Sequence, residues 1–371
     1  MRGGNSRKDD SWARELVEKC LPRFKAAGLP EIEATSIKDV RARQTESMWG
    51  GCGAIYDVRI ETSKGPAVSM MIKKVDMSGK RLDRGNQRKK DSYEVEASFY
   101  SEGHAERLIA AGCAVPFPLY VERSPSVTIC MTKLEGSARD APEAFLVWLA
   151  RLHATYWGAR ADEACGPGGL QKQGCYWHLD TRPDEHKGLL SSSRAYHRRL
   201  GLAAAAIDEW LKNDPLQSVC HGDAKGANIM YAAGAGGGPV ALVYDFQYCG
   251  KGSVAKDLAY FFNVEVCTST EREEEPLLKA YLAELSARLE ASGEAPPSLE
   301  ELKTSYEIAL CDWRRYCLIG LGGWGNSSVD GARVTKVLDT LDGGNALSSE
   351  EEYLEAMRSK FPHPKRQRVA G

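Results

Sequence analysis

The segment His221-Gly222-Asp223-Ala224-Lys225-Gly226-Ala227-Asn228, followed across a glycine-rich connection by Tyr244-Asp245-Phe246-Gln247, gathers the residues best suited to chemistry in this chain. An Asp, an Asn five positions on, and a second Asp at the end of the next apolar run form the oxygen-donor set that metal-dependent phosphoryl transfer requires. In this reading Asp223 orients an attacking hydroxyl and takes its proton late. Asn228 and Asp245 are hard oxygen ligands for Mg2+, and Lys225 reaches the γ-phosphate as a point charge. His221 anchors the loop by hydrogen bonds. Asp257, in Ala255-Lys256-Asp257-Leu258-Ala259, reads as a helix cap or loop brace rather than a ligand.

A site for ATP must also wrap the phosphates with backbone N–H groups and counter their charge with a lysine. Gly51 and Gly53 stand at a strand-to-strand turn where a backbone can approach phosphate closely. Lys73 closes the apolar run Met70-Met71-Ile72 and shares its strand face with Met71, which would line an adenine pocket. Lys74, on the other face, is the alternative. Glu96, in Tyr93-Glu94-Val95-Glu96-Ala97-Ser98-Phe99-Tyr100, could pair with Lys73 and hold it extended, with Glu94 as its competitor.

The elements that must position these groups change character along the chain. Residues 1–10 are polar and read as disordered. Ser11 reads as the N-cap of a helix from Trp12 to about Ala27 that Pro22 kinks or splits. Strands follow up to Met48, over Ala54–Ile60 and over Ala67–Val75, then a polar, basic loop over Gly79–Lys90 and a helix over Ser92–Ala111. Further strands are expected at Val115–Val121 and Val127–Met131. From Leu134 onward the pattern is helical: Ala144–Tyr156, Leu189–Leu211, Glu275–Ala291, Leu299–Ile319 and Ser348–Arg358. A hairpin of Ile229–Ala232 and Pro239–Tyr244, joined by Ala233–Gly238, interrupts it beside the acidic motifs. His153 lies on an apolar helical stripe and reads as a satisfied core histidine. The class is therefore α+β: a small β-rich lobe over residues 11–133, a larger, mostly helical lobe over 134–358, and a basic tail over 359–371.

The bulk numbers exclude several functions. A chain of 371 residues with net charge −2, from 49 basic and 51 acidic residues, has no field to hold nucleic acid or an anionic membrane. No run approaches the roughly 20 apolar residues of a membrane span. Eleven cysteines without a CxxC pair read as reduced, largely buried thiols, and the cytoplasm is the expected compartment. The segment Pro364-Lys365-Arg366-Gln367-Arg368-Val369 reads as a solvated charged terminus, with nuclear import as the alternative. Oligomeric state is not readable.

Over roughly Trp49 to Trp324, these motifs resemble the aminoglycoside-phosphotransferase and choline-kinase superfamily, and within it the ecdysteroid-kinase-like branch. That group looks like protein kinases but carries His-Gly-Asp where they carry His-Arg-Asp. Leu149–Ala154 is similar to the family's helix ending in a His-Ala pair, and Gln247 after Asp245-Phe246 matches the ecdysteroid-kinase-like pattern. The resemblance implies a two-lobed, protein-kinase-like fold with ATP between the lobes, backbone contacts to adenine from Met131 to Lys133, and a small-molecule hydroxyl as acceptor. The segment Met131-Thr132-Lys133-Leu134 departs from the branch, which commonly has an acidic pair before the leucine. Tyr176–Pro183 and Cys311–Tyr316 mix aromatic and charged groups suited to lining an acceptor pocket. The expected activity is ATP- and Mg2+-dependent phosphorylation of a sterol-, choline- or aminoglycoside-like hydroxyl. A nucleotide-binding scaffold, the alternative, has no need of Lys73, Asp223, Asn228 and Asp245 together. A protein kinase would show Asp-Phe-Gly and, after it, Ala-Pro-Glu; neither follows Tyr244.

Overall fold

The computed structural model describes residues 10–81, 83–137, 141–166, 169–268, 270–319 and 331–363. The expected disorder of residues 1–9 and the basic tail from Pro364 lie outside them. The chain divides into two compact units: Met1–Ile109 with Val115–Glu135, and Ala110–Ala114 with Gly136–Gly371.

The first unit is built on a sheet of five strands, β1 (Ile37–Ser47), β2 (Gly53–Thr62), β3 (Val68–Val75), β4 (Pro118–Glu122) and β5 (Thr128–Thr132), in the order β1-β2-β3-β5-β4. All four neighbouring pairs are antiparallel. Helix α1 (Ser11–Cys20) covers one face because Ala13, Leu16, Val17 and Cys20 recur at helical spacing. They pack with Val40, Val58, Ile60, Met70 and Ile72, which recur at period two. Ser11 is the first helical residue rather than the cap. Pro22 sits in a 3-10 turn over Leu21–Arg23, so the α-helix stops at Cys20.

The basic stretch expected to be a loop is in part helix. Helix α2 spans Arg84–Ser101, started by the Asp83 carboxylate accepting from Asn86 N at 2.8 Å. Polarity misleads here because the first turns of α2 are solvated and need no apolar stripe. The helix expected to run to Ala111 breaks at Gly103 (φ 81°) and resumes as α3, His104–Ala110.

The second unit is mostly helical: α4 (Pro142–Thr155), α5 (Ala159–Ala164), α6 (Pro183–Leu190), α7 (Ala195–Lys212), α8 (Val254–Phe261), α9 (Glu271–Ala291), α10 (Leu299–Leu318), α11 (Gly331–Asp342) and α12 (Glu350–Lys360). The single helix expected over Leu189–Leu211 is two, α6 and α7, with Pro183 at the first position of α6. Capping boxes, Thr270 with Glu273 and Ser298 with Glu301, start α9 and α10. Two small antiparallel ladders complete the unit: β6 (Gln217–Cys220) with β9 (Gly250–Ser253), and the expected hairpin of β7 (Ile229–Ala233) with β8 (Pro239–Val243). After α8 the chain widens into a π-helical turn over Phe262–Val266.

Candidate active site

In the first unit, the register sets Lys73 of β3 between Ile55 and Ile129. Its Nζ donates to Glu96 Oε2 at 2.5 Å, with both side chains almost wholly buried. Lys74 points to the opposite face, 4.3 Å from the Trp12 ring centroid. Lys73 and Glu96, rather than Lys74 or Glu94, therefore make the buried pair. One helical turn before Glu96, the Tyr93 ring lies 5.8 Å from the Lys73 ammonium. Lys73→Met removes the cation and keeps the chain length. Because a buried charge loses its counter-ion, the variant should lose about 3 kcal/mol or more in urea denaturation. Adding Glu96→Gln should restore much of that loss.

Gly51 lies in the turn Trp49–Gly51 with φ 64°, and Lys80 Nζ donates to Gly50 O at 2.9 Å. Gly53 has φ 145°, and a Cβ there would stand 2.0 Å from Lys74 O, so only glycine lets β2 begin against β3. Met131 is buried on β5, opposite Met71 and Pro118. Lys133 lays its ammonium on Asp57 Oδ2 at 2.9 Å.

In the second unit, the loop from β6 to β7 is fixed by one buried carboxylate in the first turn of α8. Asp257 Oδ2 accepts from His221 N at 2.7 Å, and Oδ1 accepts from Gly222 N at 2.9 Å. The same Oδ2 accepts from His153 Nε2 at 3.2 Å, while His153 Nδ1 is 2.8 Å from Tyr281 OH on α9. Burial pushes the Asp257 carboxyl up, but hydrogen bonds from His153 and the Gly222 amide outweigh it and hold its pKa below the ordinary 3.8. His153, Cys220 and Asp257 lie close enough together to hold a metal ion. The hydrogen bonds already saturate His153, however, which makes the trio a brace.

Gly222 has φ 83°, and a Cβ there would stand 2.2 Å from Tyr248 O. Asp223, which follows this turn, is largely buried. Asp223 N donates to His221 Nδ1 at 3.3 Å, so His221 Nε2 carries the proton and donates to Tyr244 O at 3.2 Å. The His221 ring packs 5.1 Å from Phe246, tying the two motifs together.

Asp223 is held from three sides. Oδ1 accepts from Tyr260 OH at 3.1 Å, and Oδ2 accepts from Asn228 Nδ2 at 3.0 Å and lies 2.8 Å from Lys225 Nζ. Asn228 Nδ2 also donates to Asp223 O at 2.9 Å, which commits the amide nitrogen and leaves the amide oxygen as its acceptor. Ile229 pairs with Val243, and Tyr244 N donates to Asn228 O at 3.2 Å. Asn228 and Asp245 thus flank the same end of the hairpin. Asp245 sits in the left-handed region at φ 68°, a conformation Asp tolerates better than most residues, and Gln247 Nε2 donates to its Oδ1 at 2.7 Å.

Two contributors were not singled out from sequence. Tyr260 lies one helical turn after Asp257, so both meet the same loop; the i, i+3 spacing was the available signal. Glu265 Oε2 accepts from Gly226 N at 2.6 Å from the π-helical turn, which no periodicity reveals.

The family described as "Phosphotransferase enzyme family" matches residues 87–299, more than half of the chain. The chain belongs to this family. By that membership it is an enzyme, a phosphotransferase. The α+β, protein-kinase-like fold expected from the motifs accords with that membership. No curated protein matches the sequence. Among solved structures, the chain is similar to a microcompartment-associated aminopropanol kinase at 12% identity, covering 94% of this chain and 97% of that one, with a TM-score of 0.47. It is similar to aminoglycoside 2'-phosphotransferase-IIIa in its GDP complex at 12% identity, covering 95% and 100%, with a TM-score of 0.46. A choline/ethanolamine kinase family protein from Mesorhizobium loti gives 15% identity, 91% and 98% coverage, and a TM-score of 0.41. No described helix is long and apolar enough to cross a membrane.

Proposed function

We propose that this phosphotransferase moves the γ-phosphoryl group of ATP to a hydroxyl of a small molecule, with Mg2+. The observation that carries this reading is the three-sided hold on the Asp223 carboxylate by Tyr260, Asn228 and Lys225. A carboxylate oriented in this way can align an alcohol and accept its proton as the bond to phosphorus forms. Lys225 is placed to follow negative charge from the carboxylate to an incoming phosphate oxygen. Lys73, kept extended by Glu96, would counter the charge on the other phosphates, and the turn through Gly51 and Gly53 would offer backbone N–H groups to them. The Lys133 side chain is engaged by Asp57, so its part in adenine binding, with Met131, would be through the backbone.

The Asn228 amide oxygen and the Asp245 carboxylate are hard donors on one hairpin end, a set that fits Mg2+. Bound there, the ion would screen the charge of the transferred group. Gln247 after Asp245-Phe246 supports the ecdysteroid-kinase-like branch. All eleven cysteines are free thiols, which supports a cytoplasmic setting.

The test is incubation of the purified protein with γ-labelled ATP, Mg2+ and a metabolite extract, followed by mass spectrometry of labelled products. Label should appear on one class of small-molecule alcohol. Label appearing only as inorganic phosphate, or only on protein, would count against the reading.

A further inference from the structure

In the first unit, the connection from β3 to α2 folds back over the glycine turn that joins β1 to β2. Asp76 N donates to Cys52 O at 2.8 Å, and Lys80 N closes the next turn on Met77 O at 3.2 Å. The Lys80 ammonium is thereby carried onto the glycine turn, where it donates to Gly50 O at 2.9 Å. A second ammonium arrives from α2: a Cβ at Gly50 would stand 2.6 Å from Lys89 Nζ. Among the described residues, a Cβ at Gly51 would meet only Lys80 Nζ, at 3.8 Å. Gly50 and Gly51 are both exposed and both left-handed, at φ 71° and 64°. They present an open backbone face edged by two cations.

The charge of these two connections does not balance. From Asp76 to Asp91 the chain has six lysines and arginines against three aspartates, and Met48–Cys52 adds no charge. Each aspartate is engaged by a neutral donor: Asp76 by Ser78 N at 2.8 Å, Asp83 by Asn86 N at 2.8 Å and Asp91 by Gln87 Nε2 at 2.7 Å. Like charges brought to one turn repel, and a polyanion on the open face removes that cost. Lys80 uses one of its three N–H groups on Gly50 O, so its ammonium can take a phosphate oxygen without leaving the turn. Lys73, buried against Glu96, is a cation separate from this pair.

We infer that Lys80, with Lys89 beside it, holds the triphosphate chain of the nucleotide against the glycine turn, as a phosphate-binding residue in addition to Lys73. This rests on the phosphotransferase reading in taking a nucleoside triphosphate as the ligand. It adds which side chains grip that ligand, a property of binding rather than of transfer.

The experiment titrates two ligands calorimetrically into the full chain with Mg2+ and no acceptor: adenosine, and the ATP analogue whose β–γ bridge is nitrogen. Lys80→Gln should weaken binding of the analogue roughly fivefold, the scale of one ion contact at 4 Å in water, and leave adenosine unchanged. Lys80→Arg should keep the native affinity for both. Undiminished binding of the analogue by a Lys80→Gln protein with native circular dichroism would overturn the inference. So would an equal loss for adenosine, which would make Lys80 a mere prop for the Gly50 carbonyl. If Lys80→Gln does not fold, the same comparison on Lys89→Gln decides. No phosphoryl transfer is read, so the outcomes separate. Loss of transfer to any alcohol with lysine-dependent binding kept would sink only the phosphotransferase reading. Lysine-independent binding beside normal transfer would sink only this inference.

Discussion

Asp223→Asn will lower phosphoryl transfer to the acceptor by roughly three orders of magnitude, the scale of a lost general base in an oriented site. The substitution keeps the volume but removes the charge. The position now held by Oδ2 accepts from Asn228 and neighbours the Lys225 ammonium. An amide nitrogen there would set donor against donor, so the amide turns its oxygen to that position and its nitrogen to the Tyr260 hydroxyl, which can reverse and accept. The variant can rest close to the native arrangement but cannot take the proton. Single-turnover transfer from ATP measures the loss, and a nucleotide-dependent thermal shift should remain. Transfer at an undiminished rate would remove Asp223 from the chemistry.

Asp257→Ala will cost about 4 kcal/mol of stability at neutral pH, because three buried donors lose their acceptor at once. These are the amides of His221 and Gly222 and the imidazole of His153. The native carboxyl is held below its ordinary value of 3.8, so its stabilising effect is complete above that pH and fades as pH falls through the depressed native value. The gap between native and variant proteins in urea denaturation should therefore be widest near neutrality and close in acid. A gap below about 1 kcal/mol at neutral pH would show that the loop holds its shape without this brace.

Much of the candidate site's geometry was legible in the sequence because its proposed residues are joined by short spacings. Asp223 and Asn228 lie on one loop, and the hairpin that follows returns Asp245 to the same end, so local geometry alone brings them together. Lys73 and Glu96 were harder. Each had a neighbour of the same type, and only the register of β3 and the phase of α2 distinguish them. Tyr260 escaped notice because its partner Asp223 is far away in sequence, and burial decides what it does. The elements misjudged share a cause. The start of α2 is solvated and polar, and the breaks after α2 and α6 are single local events inside otherwise helical composition. Periodicity reports what faces a core, and it is silent where a helix faces water.

The glycine between His221 and Asp223 bears on how kinase signatures diverge. Position 222 has a backbone dihedral that side chains rarely adopt, and the carbonyl of Tyr248 fills the space a first carbon atom would need. The arginine that protein kinases place at the equivalent step cannot be reached from this loop by point mutation alone. The Tyr248 backbone would have to withdraw first, and with it the link between the second acidic motif and β9. Drift at that one codon is therefore closed to this chain.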